Sequence, residues 1–331
     1  MTWVATAPGK ALLAGEYAVL HGAPAICVAV DRTATALVAA GRGTPHSPFT
    51  VAALDAAARI LDDASLLISG ALAVDSSGLY QGRDKLGIGS SAAVTVAALG
   101  AALASRGVFV EGSVDAASIT EGDVRWLSRQ AFFEAADAAH AEAQGARGSG
   151  VDIATAVFGG AIRFERSPTV RVTPVSLPAG LELTFVFTGE SASTPALLGR
   201  VRQLAERDPL LHQTIMARLV AAAHDFAGAL ALDAALTVIA AERYGAAMAA
   251  LGEAADAPVV TSAHANLRAL AADAGGAAKP SGAGGGDLGV VFTASADATA
   301  RVRQALVGHA QLSALSLSAP APGLRLAKEP A

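Results

Sequence analysis

Four of the 24 lysines and arginines in this chain are lysine, and three of those four fall in or beside glycine-bearing segments. The segments read APGKALLAGEY with Lys10, KLGIGSSAA with Lys85, and KPSGAGGGDLG with Lys279. Lysine is a compact point charge on a flexible stem, whereas arginine is a planar fork, and the two are not interchangeable at a tight site. Glycines let backbone approach a ligand closely, and runs of backbone amides form concavities that hold anions. A fourth segment, GSGVD, sets Asp152 just before an apolar stretch. In phosphoryl transfer to an alcohol a carboxylate can accept the hydroxyl proton, and a nearby lysine keeps that carboxylate ionised.

Each segment also has a plainer reading. Glycine makes up 34 of 331 residues, so GAGGG can be a turn. It is neither a Walker A loop, since its lysine precedes the glycines, nor a dinucleotide fingerprint, since no strand–GxGxxG–helix order is present. GIGSSAA, Gly87 to Ala93, opens an apolar helix, with Ser90 or Ser91 as its N-cap. Free amides and the helix dipole there favour a polyanion, but a well-capped helix needs no ligand. Asp152 can be an ordinary N-cap, and Lys10 a solvated turn residue. On the residues alone these alternatives stay open.

The elements that must position these residues follow from pattern. ALLAG and AICVAV read as strands joined through HGAP. A helix is expected over 51–63, one or two strands over 66–80, a helix after the GIGSS loop, and a further helix over roughly 114–144. VDIATAVFGGAIRFE opens as a helical turn and ends as a strand. VRVTPV and ELTFVFTG alternate as strands. The chain is then helical from about Thr194 to about Ala274, followed by the glycine loop, a buried strand LGVVFTA, a helix over 295–309 and a last strand GLRLAK. The expected division is an N-terminal domain over 1–175 and a C-terminal domain over 176–331.

Composition narrows the function classes. Net charge −5 and pI near 5.8 argue against general nucleic-acid binding. The sequence reads as lacking a run of ~18–20 bulky apolar residues, so no membrane partner is expected. MTWVATAPGK has no basic stretch leading into a long apolar core, so no leader is expected. Cys27 is the single cysteine, which excludes an internal disulfide and suits a cytoplasmic location. Oligomeric state is not legible.

APGKALLAGEYAVL, KLGIGSSAA and KPSGAGGGD, in that order and joined by GSGVD, resemble the signature motifs of the GHMP kinases. The resemblance spans roughly residues 5–325. It implies an α+β, two-domain fold, with an N-terminal ribosomal-S5-like domain and a C-terminal ferredoxin-like domain. It implies ATP on the middle motif, at Lys85, Gly87, Gly89, Ser90, Ser91 and Ala92, with Mg²⁺ on Ser91. Lys10 and Asp152 take the catalytic positions. The acceptor is implied to lie between the domains, near Glu16, Tyr17, Arg147, Ser149, Gly150, Ser193, Thr194, Lys279, Ser281, Gly282, Ala283, Gly284 and Asp287.

Within the family the details resemble the branch that phosphorylates 5-phosphomevalonate. GEY rather than GEH, the pattern from Ala143 to Gly160, Asp287 after the glycines, and TGESAST at 188–194 all match it. A kinase of mevalonate itself and a silent metabolite sensor of the same fold are the alternatives. One departure stands out. His140 occupies the place where mevalonate kinases carry a Mg²⁺-binding helix glutamate, and Mg²⁺ prefers oxygen. Asp137 and Glu134 lie about one turn upstream.

Overall fold

A computed structural model of the chain describes residues 2–39, 43, 47–63, 72–82, 84–115, 119, 124–166, 169–190 and 193–329. The start of the strand expected over 66–80, and Ser191 and Ala192 of TGESAST, lie outside them.

The first half runs β1 (Trp3–Ala14), β2 (Ala25–Val38), α1 (Pro48–Leu61), β3 (Leu72–Asp75), β4 (Tyr80–Gln81), β5 (Asp84–Lys85), α2 (Ser90–Ala104), β6 (Val108–Val110), β7 (Arg125–Leu127), α3 (Arg129–Gln144), α4 (Val151–Phe158), β8 (Ala161–Glu165) and β9 (Arg171–Val175). The second half runs β10 (Glu182–Phe187), α5 (Thr194–Arg207), α6 (Pro209–Leu230), α7 (Ala234–Ala254), α8 (Ser262–Asp273), β11 (Ala277–Pro280), β12 (Leu288–Thr293), α9 (Ala296–Leu306), β13 (Ser313–Ala314) and β14 (Arg325–Lys328).

Two sheets organise these elements. The first has the order β14-β1-β2-β8-β9, with β3 also on β2; the second has the order β11-β12-β10-β13. The sequence of β12, LGVVFT, is buried throughout, as expected of a strand covered on both faces. The last strand leaves the half that precedes it and pairs antiparallel with β1, Trp3 opposite Lys328. The ammonium of Lys328 lies 5.9 Å from the centre of the Trp3 ring.

Alanine decides how α2 packs. Ala92, Ala93, Val96, Ala97, Ala98, Leu99 and Ala101 to Ala104 are all buried. Alanine has the highest helix propensity, and its small side chain lets a helix lie close on β1 and β2. The site helix is therefore held on nearly every side.

One expectation is corrected. Residues 114–128 are not helical where described; Val108–Val110 and Arg125–Leu127 form a two-stranded parallel pair instead. The β-branched and aromatic residues of VFV and RWL favour strand. Helix α3 begins only after Ser128, whose hydroxyl accepts from the Ala131 amide at 3.1 Å. One helix, Ala234–Ala254, is long and apolar enough to span a bilayer by length and composition, although it is rich in alanine and interrupted by Glu242 and Arg243, so it is not an uninterrupted bulky apolar run. In this fold α7 packs on α6 and β11 and carries Glu242, which pairs with Arg268.

Candidate active site

Lys10 lies in the middle of β1, where proline shapes the ladder. The β1–β2 register shifts between Pro8 and Gly9, because proline has no amide to donate. The Lys10 amide then donates to the Ile88 carbonyl at 2.8 Å rather than across the sheet. That bond ties β1 to the GIGSS loop. The Lys10 side chain runs under Gly89, where a Cβ would meet its Cγ at 3.1 Å and its Cε at 3.3 Å. Its ammonium ends 3.5 Å from Oδ1 of Asp152, which stands in the first turn of α4.

The electrostatics of this pair are those of a buried cation with anionic neighbours. Burial pulls the Lys10 pKa down, but Asp152, Cys27 and Glu16 outweigh it, so the group is held above its ordinary value. Lys10 stays charged at neutral pH. Asp152 is more open, with about a third of its side chain exposed (37%) against 8% for Lys10. The pair thus presents its carboxylate to solvent while the lysine stands behind it.

The N-terminus of α2 differs from expectation in one respect. Its N-cap is Gly89, in the left-handed conformation at φ 77°, and neither serine caps it. Ser90 and Ser91 lie inside the first turn. The first intrahelical bond runs from the Ala93 amide to the Gly89 carbonyl, so the amides of Ser90, Ser91 and Ala92 have no helical acceptor. They are available to a polyanion. Lys85 is exposed on β5.

The Ser91 hydroxyl lies 3.1 Å from Nε2 of His140 on α3. His140 is buried and stacked on Phe49 at 5.2 Å between ring centres. Burial pushes its pKa down, with Asp152 and Asp137 opposing. The upstream carboxylates are engaged elsewhere. Asp137 is buried and takes Arg147 at 3.0 Å and Arg166 at 3.9 Å, and Glu134 accepts from Gln130 at 2.9 Å. Among the described residues no group of three or more His, Cys, Asp or Glu side chains could hold a metal. The donor set for the implied Mg²⁺ is therefore one oxygen, that of Ser91, beside one nitrogen. A hard ion fits it where phosphate oxygens and water complete the sphere.

The GSGVD turn is held by Asp137 and Arg166. Arg166 donates to the Gly148 carbonyl at 2.6 Å and to that of Ser149. The Val151 amide donates to the Ser149 hydroxyl at 3.4 Å. Arg147 is mostly exposed apart from its contact with Asp137.

The third motif meets the first across the two halves of the chain. The Leu12 amide donates to the Ser281 hydroxyl at 2.8 Å, and the Tyr17 hydroxyl donates to the Ala283 carbonyl at 2.6 Å. Lys279 and Glu16 form a fully buried ion pair. Burial pushes the Glu16 carboxyl up and the Lys279 ammonium down, each opposed by the other's charge. Gly284 sits so near the Val259 carbonyl that a Cβ would lie 2.8 Å from its carbon and closer still to its oxygen. Only glycine fits there, so that part of the GAGGG run has a packing reason.

Three residues outside the sequence-predicted set also hold these segments together. The Thr188 amide and hydroxyl donate to the Asp287 carbonyl at 2.9 and 3.1 Å. Thr188 thereby fastens the start of TGESAST to the third motif, while Ser193 and Thr194 remain exposed at the start of α5. Tyr244 donates to the Glu16 carbonyl at 2.8 Å, and nothing in its alanine-rich helix marks it. Arg166 follows a strand and carries no motif.

No known family profile matches the chain. It is 29% identical over 368 aligned positions to phosphomevalonate kinase of Streptomyces sp. (strain CL190), covering 92% of this chain and 93% of that protein. The structure of the Lin0012 protein from Listeria innocua superposes with a TM-score of 0.81 at 22% identity, covering 99% of this chain and all of that one. Phosphomevalonate kinase of Streptococcus pneumoniae, in complex with phosphomevalonate and AMPPNP, superposes at 0.76 and 17% identity, covering 96% and 99%. The structural likenesses establish a shared fold, and it is the α+β, two-part architecture expected.

Proposed function

We infer that this protein, a member of the GHMP kinase superfamily, is a phosphomevalonate kinase, transferring the γ-phosphoryl group of ATP to 5-phosphomevalonate to form 5-diphosphomevalonate and ADP. Similarity to phosphomevalonate kinase along 92% of the chain supports the branch. The observation that carries the chemistry is the Lys10–Asp152 pair at 3.5 Å, beside the open amides that start α2.

In this reading the amides of Ser90, Ser91 and Ala92, with the positive end of α2 behind them, hold the nucleotide phosphates. Ser91 would hold Mg²⁺, which when bound neutralises charge on the phosphates. The acceptor phosphate attacks the γ-phosphorus in line while ADP leaves. Lys10 sets a permanent positive charge where the transferring group gains negative charge. A phosphate monoester is already anionic near neutral pH, so it needs no strong base. Asp152 orients the acceptor and is kept ionised by Lys10. Arg147, largely exposed and anchored on Asp137, is the cation for the acceptor's existing charge.

The test is ADP release from Mg-ATP with 5-phosphomevalonate, mevalonate, homoserine and galactose at matched concentrations. Turnover with phosphomevalonate alone is expected. Turnover with mevalonate instead would move the chain to the neighbouring branch. Nucleotide binding without turnover on any acceptor would make it a silent member of the fold.

A further inference from the structure

We propose that the buried pair of Glu16 and Lys279 is a positioning device, which fixes the glycine loop 281–286 against β1 so that its backbone stands beside the Lys10 ammonium. The proposal rests on the reading of Lys10 as the cation at the transferring phosphoryl group.

An ammonium has three protons to donate. Lys279 directs its nitrogen to three acceptors, the Leu12 carbonyl at 3.1 Å, the Pro280 carbonyl at 2.6 Å and the Glu16 carboxylate. Its side chain is fully buried, with the Tyr244 ring 5.7 Å from the ammonium. No donor is left for a ligand, so Lys279 does not act as a cation for the acceptor phosphate. It spans two sheets instead. It leaves β11 in the second and reaches β1 of the first.

Glu16 completes the span from the other side. The carboxylate oxygen that takes Lys279 also accepts from the Gly282 amide at 3.3 Å. Gly282 borders Lys10. A Cβ built on it would lie 3.9 Å from the Lys10 nitrogen. Lys10 and Leu12 share one strand, so Lys279 sets the loop's position with respect to the same backbone that carries Lys10. A buried ion pair is weak evidence for stability, because well-packed apolar residues often replace it without loss. What the pair supplies that apolar residues do not is a fixed geometry of directed bonds.

The double variant separates these two roles. Lys279→Met, Glu16→Gln and Lys279→Met/Glu16→Gln are made in the full chain. Thermal midpoint, binding of a fluorescent ATP analogue, kcat with 5-phosphomevalonate and amide hydrogen exchange over residues 281–286 are measured. Each single variant is expected to speed loop exchange by about tenfold or more and lower kcat by about 10–100-fold, as a misplaced site does. Nucleotide affinity should stay within about threefold, because the α2 amides are untouched. In the double variant the thermal midpoint returns toward wild type while kcat and loop exchange do not. Recovery of midpoint, kcat and exchange together would show a structural pair only and overturn the proposal. Unchanged loop exchange in folded Lys279→Met would overturn it as well. If the wild type turns over no acceptor, the functional reading fails, and loop exchange alone decides the pair.

Discussion

Gly87 of the second motif lies against Asp287 of the third, so closely that a Cβ on Gly87 would overlap that of Asp287 and stand 3.0 Å from its Cγ. Residues two hundred positions apart thus form one wall, and glycine is required twice over at 87, since its φ is +70°. Gly87→Ala is expected to destabilise the protein by about 1–3 kcal/mol and to lower kcat more than tenfold. Asp287→Gly in the same chain removes the overlap but not the φ strain. A denaturation cycle should therefore give a double variant less damaged than the sum of the singles. Strict additivity would mean that the two loops do not touch in solution.

In the proposed reaction Lys10 meets the transferring phosphoryl group and Asp152, 3.5 Å away, orients the acceptor. Lys10→Met is expected to lower kcat by about 10³-fold, and Asp152→Asn by about 10²-fold because it positions more than it deprotonates. Circular dichroism should report both variants folded. Retention of most activity in either would remove that residue from the chemistry.

His264 supplies a pH dependence of stability. It occupies the third position of α8, in a capping box with Thr261, and burial pushes its pKa from 6.5 down to about 4. Between those values the unfolded chain holds a proton that the folded chain does not. Stability from this group is therefore full above pH 6.5 and is lost as pH falls toward 4, by roughly 3 kcal/mol in total. Glutamine can fill the same capping role without titrating. The urea midpoint of wild type should fall further than that of His264→Gln between pH 7.5 and 4.5. Parallel falls would refute it.

His140 places nitrogen where an oxygen would suit magnesium better. His140→Glu sets a carboxylate beside Ser91 and is expected to tighten Mg²⁺-dependent binding of a nucleotide analogue by about tenfold. Titration of Mg²⁺ at fixed analogue measures this. An unchanged Mg²⁺ requirement would locate the ion away from the Ser91–His140 corner.

By itself the sequence determined local features. Three lysines beside glycines marked candidate phosphate-binding segments, because those residue types and short spacings depend only on neighbouring backbone. The strands AICVAV and LGVVFTA and the helix after GIGSS were legible for the same reason, since period and propensity are local. The helix expected over 114–128 failed because β6 and β7 owe their strand form to pairing with each other, across residues the pattern cannot connect. The roles of particular side chains were decided by the tertiary structure. Ser90 and Ser91 suited an N-cap in sequence, yet Gly89 took that place because the loop must pass over the Lys10 side chain. Lys279 read as a cation for a ligand, and only the fold spends its three protons on Leu12, Pro280 and Glu16. Whether a charge faces a ligand or a partner depends on what is packed around it, and that is set by residues hundreds of positions away.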